Sequence, residues 1–159
     1  MADFQVMPDH SRVWIYQADR TFTETEQDFI ESQLNAFITN WTAHSKQLFA
    51  TGLLAFKKFL ILVVDEKSEA ASGCSIDSSV KMVQELEMKL ACNFFDRLNF
   101  VYQDGDLLKT IHKDDMQSAY QAGTINDETL FFNNLITTKQ QLESDWRVAL
   151  KDSWHYQFV

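Results

Sequence analysis

The chain has 159 residues, a formal net charge of -9, and is 45% hydrophobic and 13% aromatic. That is enough apolar surface for one core, and one proline with four glycines leaves no flexible linker, so one α+β domain over 1–159 is expected. With 14 Lys and Arg against 23 Asp and Glu, the chain lacks the basic stripe that binds nucleic acid or an anionic membrane, and neither is expected as a partner.

Residues 1–10 look like a flexible leader without the charged and apolar regions of a signal peptide. Arg12-Val13-Trp14-Ile15-Tyr16-Gln17 is β-branched and aromatic, a first strand. Thr23-Glu24-Thr25-Glu26 is a capping box, in which Thr23 accepts from the Glu26 amide while Glu26 reaches back. Behind it Phe29, Ile30, Leu34, Phe37, Ile38 and Trp41 share one face at helical spacing, predicting a helix over about 24–42.

A strand over 48–56 follows, with Gly52 as a bulge or turn. It leads directly into Phe59-Leu60-Ile61-Leu62-Val63-Val64, an apolar run closed by Asp65 and Glu66 that predicts a central strand buried on both faces. A second helix starts near Ser75 or Asp77 and turns Val80, Val83, Leu86 and Leu90 inward. Residues 98–103 and 107–112 are strands joined by an Asp104-Gly105 hairpin turn. A short helix from Asp114-Asp115 stops at Gly123, and Thr129 to Phe132 is a short strand. Thr138-Lys139-Gln140-Gln141 opens a helix to about Trp146. Trp154, Tyr156 and Phe158 alternate in an aromatic tail over 151–159.

The first six elements run β-α-β-β-α-β. That order predicts a mainly antiparallel sheet with helices on one face, ferredoxin-like, with extra C-terminal elements.

Ala71-Ser72-Gly73-Cys74-Ser75-Ile76-Asp77-Ser78-Ser79-Val80 is the distinctive stretch. Together with Val13 to Tyr16, Phe59 to Glu66, Ile125-Asn126-Asp127-Glu128-Thr129 and Lys151-Asp152-Ser153-Trp154, it resembles a family of small uncharacterised bacterial proteins often given the label ABC transporter ATPase. The resemblance spans most of 11–155 and implies no activity. The label fails on chemistry. A P-loop needs two glycines and a Lys-Ser/Thr in one loop to wrap phosphates. Gly52, Gly73, Gly105 and Gly123 stand far apart, and no Gly-x-Gly-x-x-Gly supplies a dinucleotide site. No cofactor is expected.

Chemistry is expected first at Cys74, as a catalytic nucleophile whose thiolate a helix N-terminus would stabilise. Gly73 would permit an unusual backbone angle, Ser72, Ser75 and Ser78 would supply hydrogen bonds, and Asp77 would oppose the thiolate. His44, His112 and His155 are candidate bases, none of them close in sequence. The competing expectation is that Ser75 or Asp77 caps the helix and Cys74 is a small buried apolar residue. Asp65, Glu66 and Asp77 at the sheet end, and Asp104 and Asp106 in the hairpin turn, are oxygen ligands that would suit magnesium only if the fold gathered them, so no metal site is assigned. The histidines lack zinc spacing. The aromatic tail either completes the core or pairs as an exposed strand, through Trp154, Tyr156 and Phe158, with a protein partner or a second copy.

Two cysteines, Cys74 and Cys92, make no disulfide framework, and no apolar run approaches the roughly 20 residues that span a bilayer. The expectation is a cytoplasmic, non-enzymatic binding domain, with a Cys74 thiol enzyme as the alternative.

Overall fold

The structure is a computed structural model that describes residues 1–159. It is an α+β fold of antiparallel sheets and helices. Its contacts group into two compact units, Met1–Phe95 with Thr137–Gln140, and Asp96–Ile136 with Gln141–Val159. Both lie within the stretch that composition treats as one domain.

In the first unit β1 (Arg12–Gln17) is followed by α1 (Glu24–Thr39), a short ribbon of β2 (Thr42–Ala43) and β3 (Lys46–Gln47), then β4 (Phe49–Ala55), β5 (Phe59–Asp65) and α2 (Gly73–Leu90). The sheet order is β1-β5-β4, all antiparallel. The Thr23 capping box forms in both directions. The six apolar residues of β5 are fully buried, as an apolar run without alternation requires.

Leu60, Leu62 and Val64 face one cluster with Ile30, Leu34 and Ile38 of α1 and Val83 and Leu86 of α2. Both helices therefore cover the same face of this sheet. Gly52 is neither bulge nor turn. It pairs in register with Leu62, and a Cβ there would lie 2.8 Å from the Ile38 Cδ1. The glycine lets α1 approach the sheet.

The β4–β5 hairpin turns at Phe56 and Lys57, both with positive φ (52° and 56°), closed by the Lys58 amide donating to the Ala55 carbonyl at 3.0 Å. This is the primed geometry that matches strand twist, built here from residues that rarely adopt it.

The second unit has β6 (Asn99–Asp104), β7 (Leu107–His112), α3 (Met116–Gln121), β8 (Leu130–Phe132) and β9 (Arg147–Ala149). Between β8 and β9, α4 (Lys139–Ser144) crosses the boundary at residue 140. The sheet order is β7-β6-β8-β9, around a core of Phe100, Tyr102, Met116, Ile125, Phe131 and Leu150.

The ferredoxin-like order thus holds for three strands and departs at the fourth. β6 spends one edge on β7, across the short Asp104-Gly105 turn, and the other on β8. A hairpin partner a few residues away costs far less loop-closure entropy than a strand more than eighty residues back. The free edge of β1 is met instead by Thr137 and Thr138, whose backbone pairs with Val13 and Arg12.

The first ten residues make ordered contacts rather than a flexible leader, and the tail packs on its own unit's core, one of its two expected roles, but not as a strand. Residues 1–10 hold a 3-10 turn at Phe4–Val6, the Ala2 amide donates to the Ala50 carbonyl, and Met7 is buried. The buried Lys139 ammonium donates to the Met7 carbonyl at 2.8 Å under the Phe4 ring. The tail is no strand; it forms 3-10 turns at Leu150–Asp152 and Trp154–Phe158.

Candidate functional site

α2 begins at Gly73, two to four residues before the expected start near Ser75 or Asp77. Ser72 is the N-cap, its Oγ accepting from the Ser75 amide at 3.2 Å, so Gly73, Cys74 and Ser75 form the first turn. Gly73 has helical rather than positive φ, and a Cβ there would meet nothing within 4 Å. Its expected special backbone angle is not used.

Cys74 is exposed, which overturns the reading of it as a buried apolar residue. The serines around it are spent elsewhere. Ser75 Oγ donates to the Ser72 carbonyl at 2.8 Å, and Ser78 Oγ donates to the Cys74 and Ser75 carbonyls at 3.2 and 2.9 Å. Ser75 itself is buried, its carbonyl taking the Trp41 indole N–H at 2.8 Å. Asp77 lies exposed on the second turn and is not the cap.

No imidazole hydrogen-bonds to the Cys74 thiol. His10 pairs with Asp65 at 3.0 Å, His112 Nδ1 accepts from the Asp114 amide at 3.2 Å, and His155 Nδ1 meets Ser153 Oγ at 2.5 Å. His44 sits at positive φ in the β2–β3 turn. The arrangement offers an accessible thiol without an attached base.

The carboxylates at the sheet end pair with His10 and Arg12 rather than with one another. Burial opposes ionisation of Asp65, but the Lys67 amide and the His10 ring outweigh it and hold its pKa below the usual value. Glu66 faces Arg12 at 3.4 Å. Nowhere in the chain are three or more His, Cys, Asp or Glu side chains gathered around a common point. In the hairpin turn, Asp104 pairs with Lys109 at 2.5 Å.

Cys92 is half-buried. Burial first, with Asp19, Glu87 and Glu26 adding to it against the opposing Arg20, pushes its thiol up to about 11, which disfavours a thiolate there.

In the aromatic tail, Trp154 and Phe158 pack on Phe100 with centroids 5.3 and 5.4 Å away, and Tyr156 is 43% exposed. Two of the three residues expected to form an outward partner face belong to their own unit's core.

The feature that sequence reasoning missed is an open groove of about 380 Å³ in the first unit, lined by Ile38, Thr39, Gln47, Leu48, Phe49 and Ala50 with Met1 and Ala2. Met1 and Phe49 are 52% and 47% exposed. The groove joins segments remote in sequence, so no contiguous stretch of sequence marks it. No helix is long and apolar enough to cross a membrane. Compared with protein families, with curated proteins and with solved structures, the chain finds no match.

Proposed function

We propose that this chain is a cytoplasmic, non-enzymatic binding domain that takes an extended apolar peptide segment of a protein partner into the groove beside β4. The observation that carries the reading is Phe49, an exposed aromatic on the edge strand β4 and in the groove wall. An apolar groove beside a strand edge suits a peptide that contributes main-chain hydrogen bonds and one or two apolar side chains. The chain's own Ala2 amide donates to the Ala50 carbonyl on this edge, so a bound peptide would displace that contact. Two unpaired thiols, one exposed, support a reducing compartment.

The test is selection of a phage-displayed random peptide library on the wild-type protein, with Phe49→Asp as counter-target. Enriched apolar peptides that bind the wild type and lose about tenfold or more in affinity to Phe49→Asp support the reading. Failure to enrich any peptide, or equal binding to both proteins, overturns it.

A second reading, a thiol enzyme using Cys74, is favoured by the exposure of that residue on the first turn of an 18-residue helix. Its test is the alkylation rate of Cys74 against pH with Cys92→Ala in place. A midpoint well below the unperturbed value of about 8.5 favours thiol chemistry, and an ordinary midpoint removes it.

A further inference from the structure

We infer that His155 is an acid-operated latch: protonation of its buried ring releases the C-terminal turn Trp154–Phe158 from the second unit while the rest of that unit stays folded.

The ring is 1% exposed and lies in an aromatic cage, with centroids 4.2 Å from Trp154, 4.6 Å from Phe100 and 5.1 Å from Phe131. Its Nδ1 shares a hydrogen bond with the Ser153 hydroxyl, which also accepts the His155 amide. A neutral imidazole fits such a cage. A cation would lose its hydration there, no carboxylate faces it, and the aromatic faces return only part of that loss. β6 presents Phe100, β8 presents Phe131, and the turn itself presents Trp154 and Ser153. No ionisable side chain on these elements contributes to its titration. Burial alone lowers the pKa from 6.5 to about 4. Of the charges nearest in sequence, Lys151 is paired with Glu128, and Asp152 is exposed.

The second half of the argument is how the turn is held. Its backbone hydrogen bonds are local, from Ser153 to Leu150, Tyr156 to Ser153 and Val159 to Tyr156. The last backbone bonds to the rest of the unit are made just before it, by Leu150 to Thr129 and Lys151 to Asp127. Beyond Asp152 the segment is attached by side chains: Trp154 and Phe158 on Phe100, His155 in its cage, and Tyr156 against Tyr120. A segment with no ladder bonds can open locally without unravelling the sheet. One buried Trp154 indole N–H has no partner, which further lowers the cost of leaving.

The sign follows from linkage. A histidine that titrates lower when docked than when released binds more protons in the open state. Opening therefore grows as pH falls below about 6.5, by up to about tenfold per unit, and levels off near the docked value of about 4, roughly 300-fold in all.

The experiment is amide hydrogen exchange on the full chain between pH 7 and 4.5, expressed as protection factors so that intrinsic rates cancel. Residues 153–159 should lose protection about tenfold or more while β6 and β8 keep theirs. His155→Phe should keep the tail protected at the lower pH. Because that variant could repack, the imidazole carbon shift of wild-type His155 is followed as well, and a titration well below 6.5 is expected. Tail protection that is constant with pH, or that falls together with β6, overturns the latch. So does a His155 titration at the unperturbed value.

Discussion

The indole N–H of Trp41 donates to the carbonyl of Ser75 at 2.8 Å, both residues buried. This bond ties the chain just past α1 to the first turn of α2, and so fixes the backbone under Cys74. Trp41 also packs on Phe37 and Trp14, with centroids 5.1 and 6.2 Å away. Trp41→Phe keeps most of the ring contact and removes the donor. Ser75 keeps the Ser78 hydroxyl on its carbonyl, so the loss is moderate, about 1–3 kcal/mol. Urea unfolding measures it, and amide exchange should show the first turns of α2 loosening more than α1. Loosening spread evenly over both helices would contradict this role.

Ser72, not Ser75 or Asp77, caps α2. Ser72→Ala should cost about 1 kcal/mol, because one amide of the first turn loses its acceptor. Asp77→Asn should stay within about 0.5 kcal/mol, since that side chain is exposed and has no capping bond. Paired urea midpoints decide the matter, and a larger effect at Asp77 would reassign the cap.

Gly52 is set by the approach of α1 to β4. A methyl there lies 2.8 Å from Ile38 Cδ1, 3.2 Å from Leu34 Cδ2 and 3.4 Å from Leu62 Cδ2. All three are ends of side chains that can shift, so Gly52→Ala should destabilise by about 1–3 kcal/mol rather than prevent folding. Ile38→Val removes the closest atom. In a double-mutant cycle the pair should cost less than the sum of the single changes. Strict additivity would mean that the crowding is relieved elsewhere.

Much of the first unit was legible because its signals are local. The Thr23 box, the helical spacing from Phe29 to Ile38 and the unbroken apolar run of β5 each specify an element without help from the rest of the chain. The Asp104-Gly105 turn likewise announced β6 and β7. What failed was pairing across distance. β6 has only two edges, and nothing near it in sequence says that a three-residue strand at Leu130–Phe132 takes the second. The tail misled for a different reason. The alternation of Trp154, Tyr156 and Phe158 suits a strand, yet a 3-10 turn with the Ser153 cap packs the half-buried Trp154 and Phe158 on Phe100 equally well. Around Cys74 the serines bond the helix backbone rather than the thiol, since a hydroxyl near a helix start bonds backbone more readily than a neighbouring thiol. The groove had no contiguous signal at all.

The Arg20 guanidinium grips Glu26 in a two-point contact, Nη1 to Oε1 at 3.0 Å and Nη2 to Oε2 at 2.6 Å, and also donates to the Leu90 carbonyl at the end of α2. The Arg20 bond is the chief reason that Glu26 titrates at about 2 rather than 4.5, and the Thr23 amide adds to it. A carboxylate whose folded pKa is depressed stabilises the fold above its unfolded value, and that stabilisation fades as pH falls through the folded one. The window is therefore about pH 4.5 down to 2. Glu26→Gln should lower the melting temperature at neutral pH, and the gap to wild type should close as the pH drops through this window. Because the ion pair is still partly exposed, salt should shrink the gap as well. A gap that stays constant from neutral to acid pH would mean that the charge of Glu26 contributes nothing, and that the amide of Gln replaces it fully in the capping box.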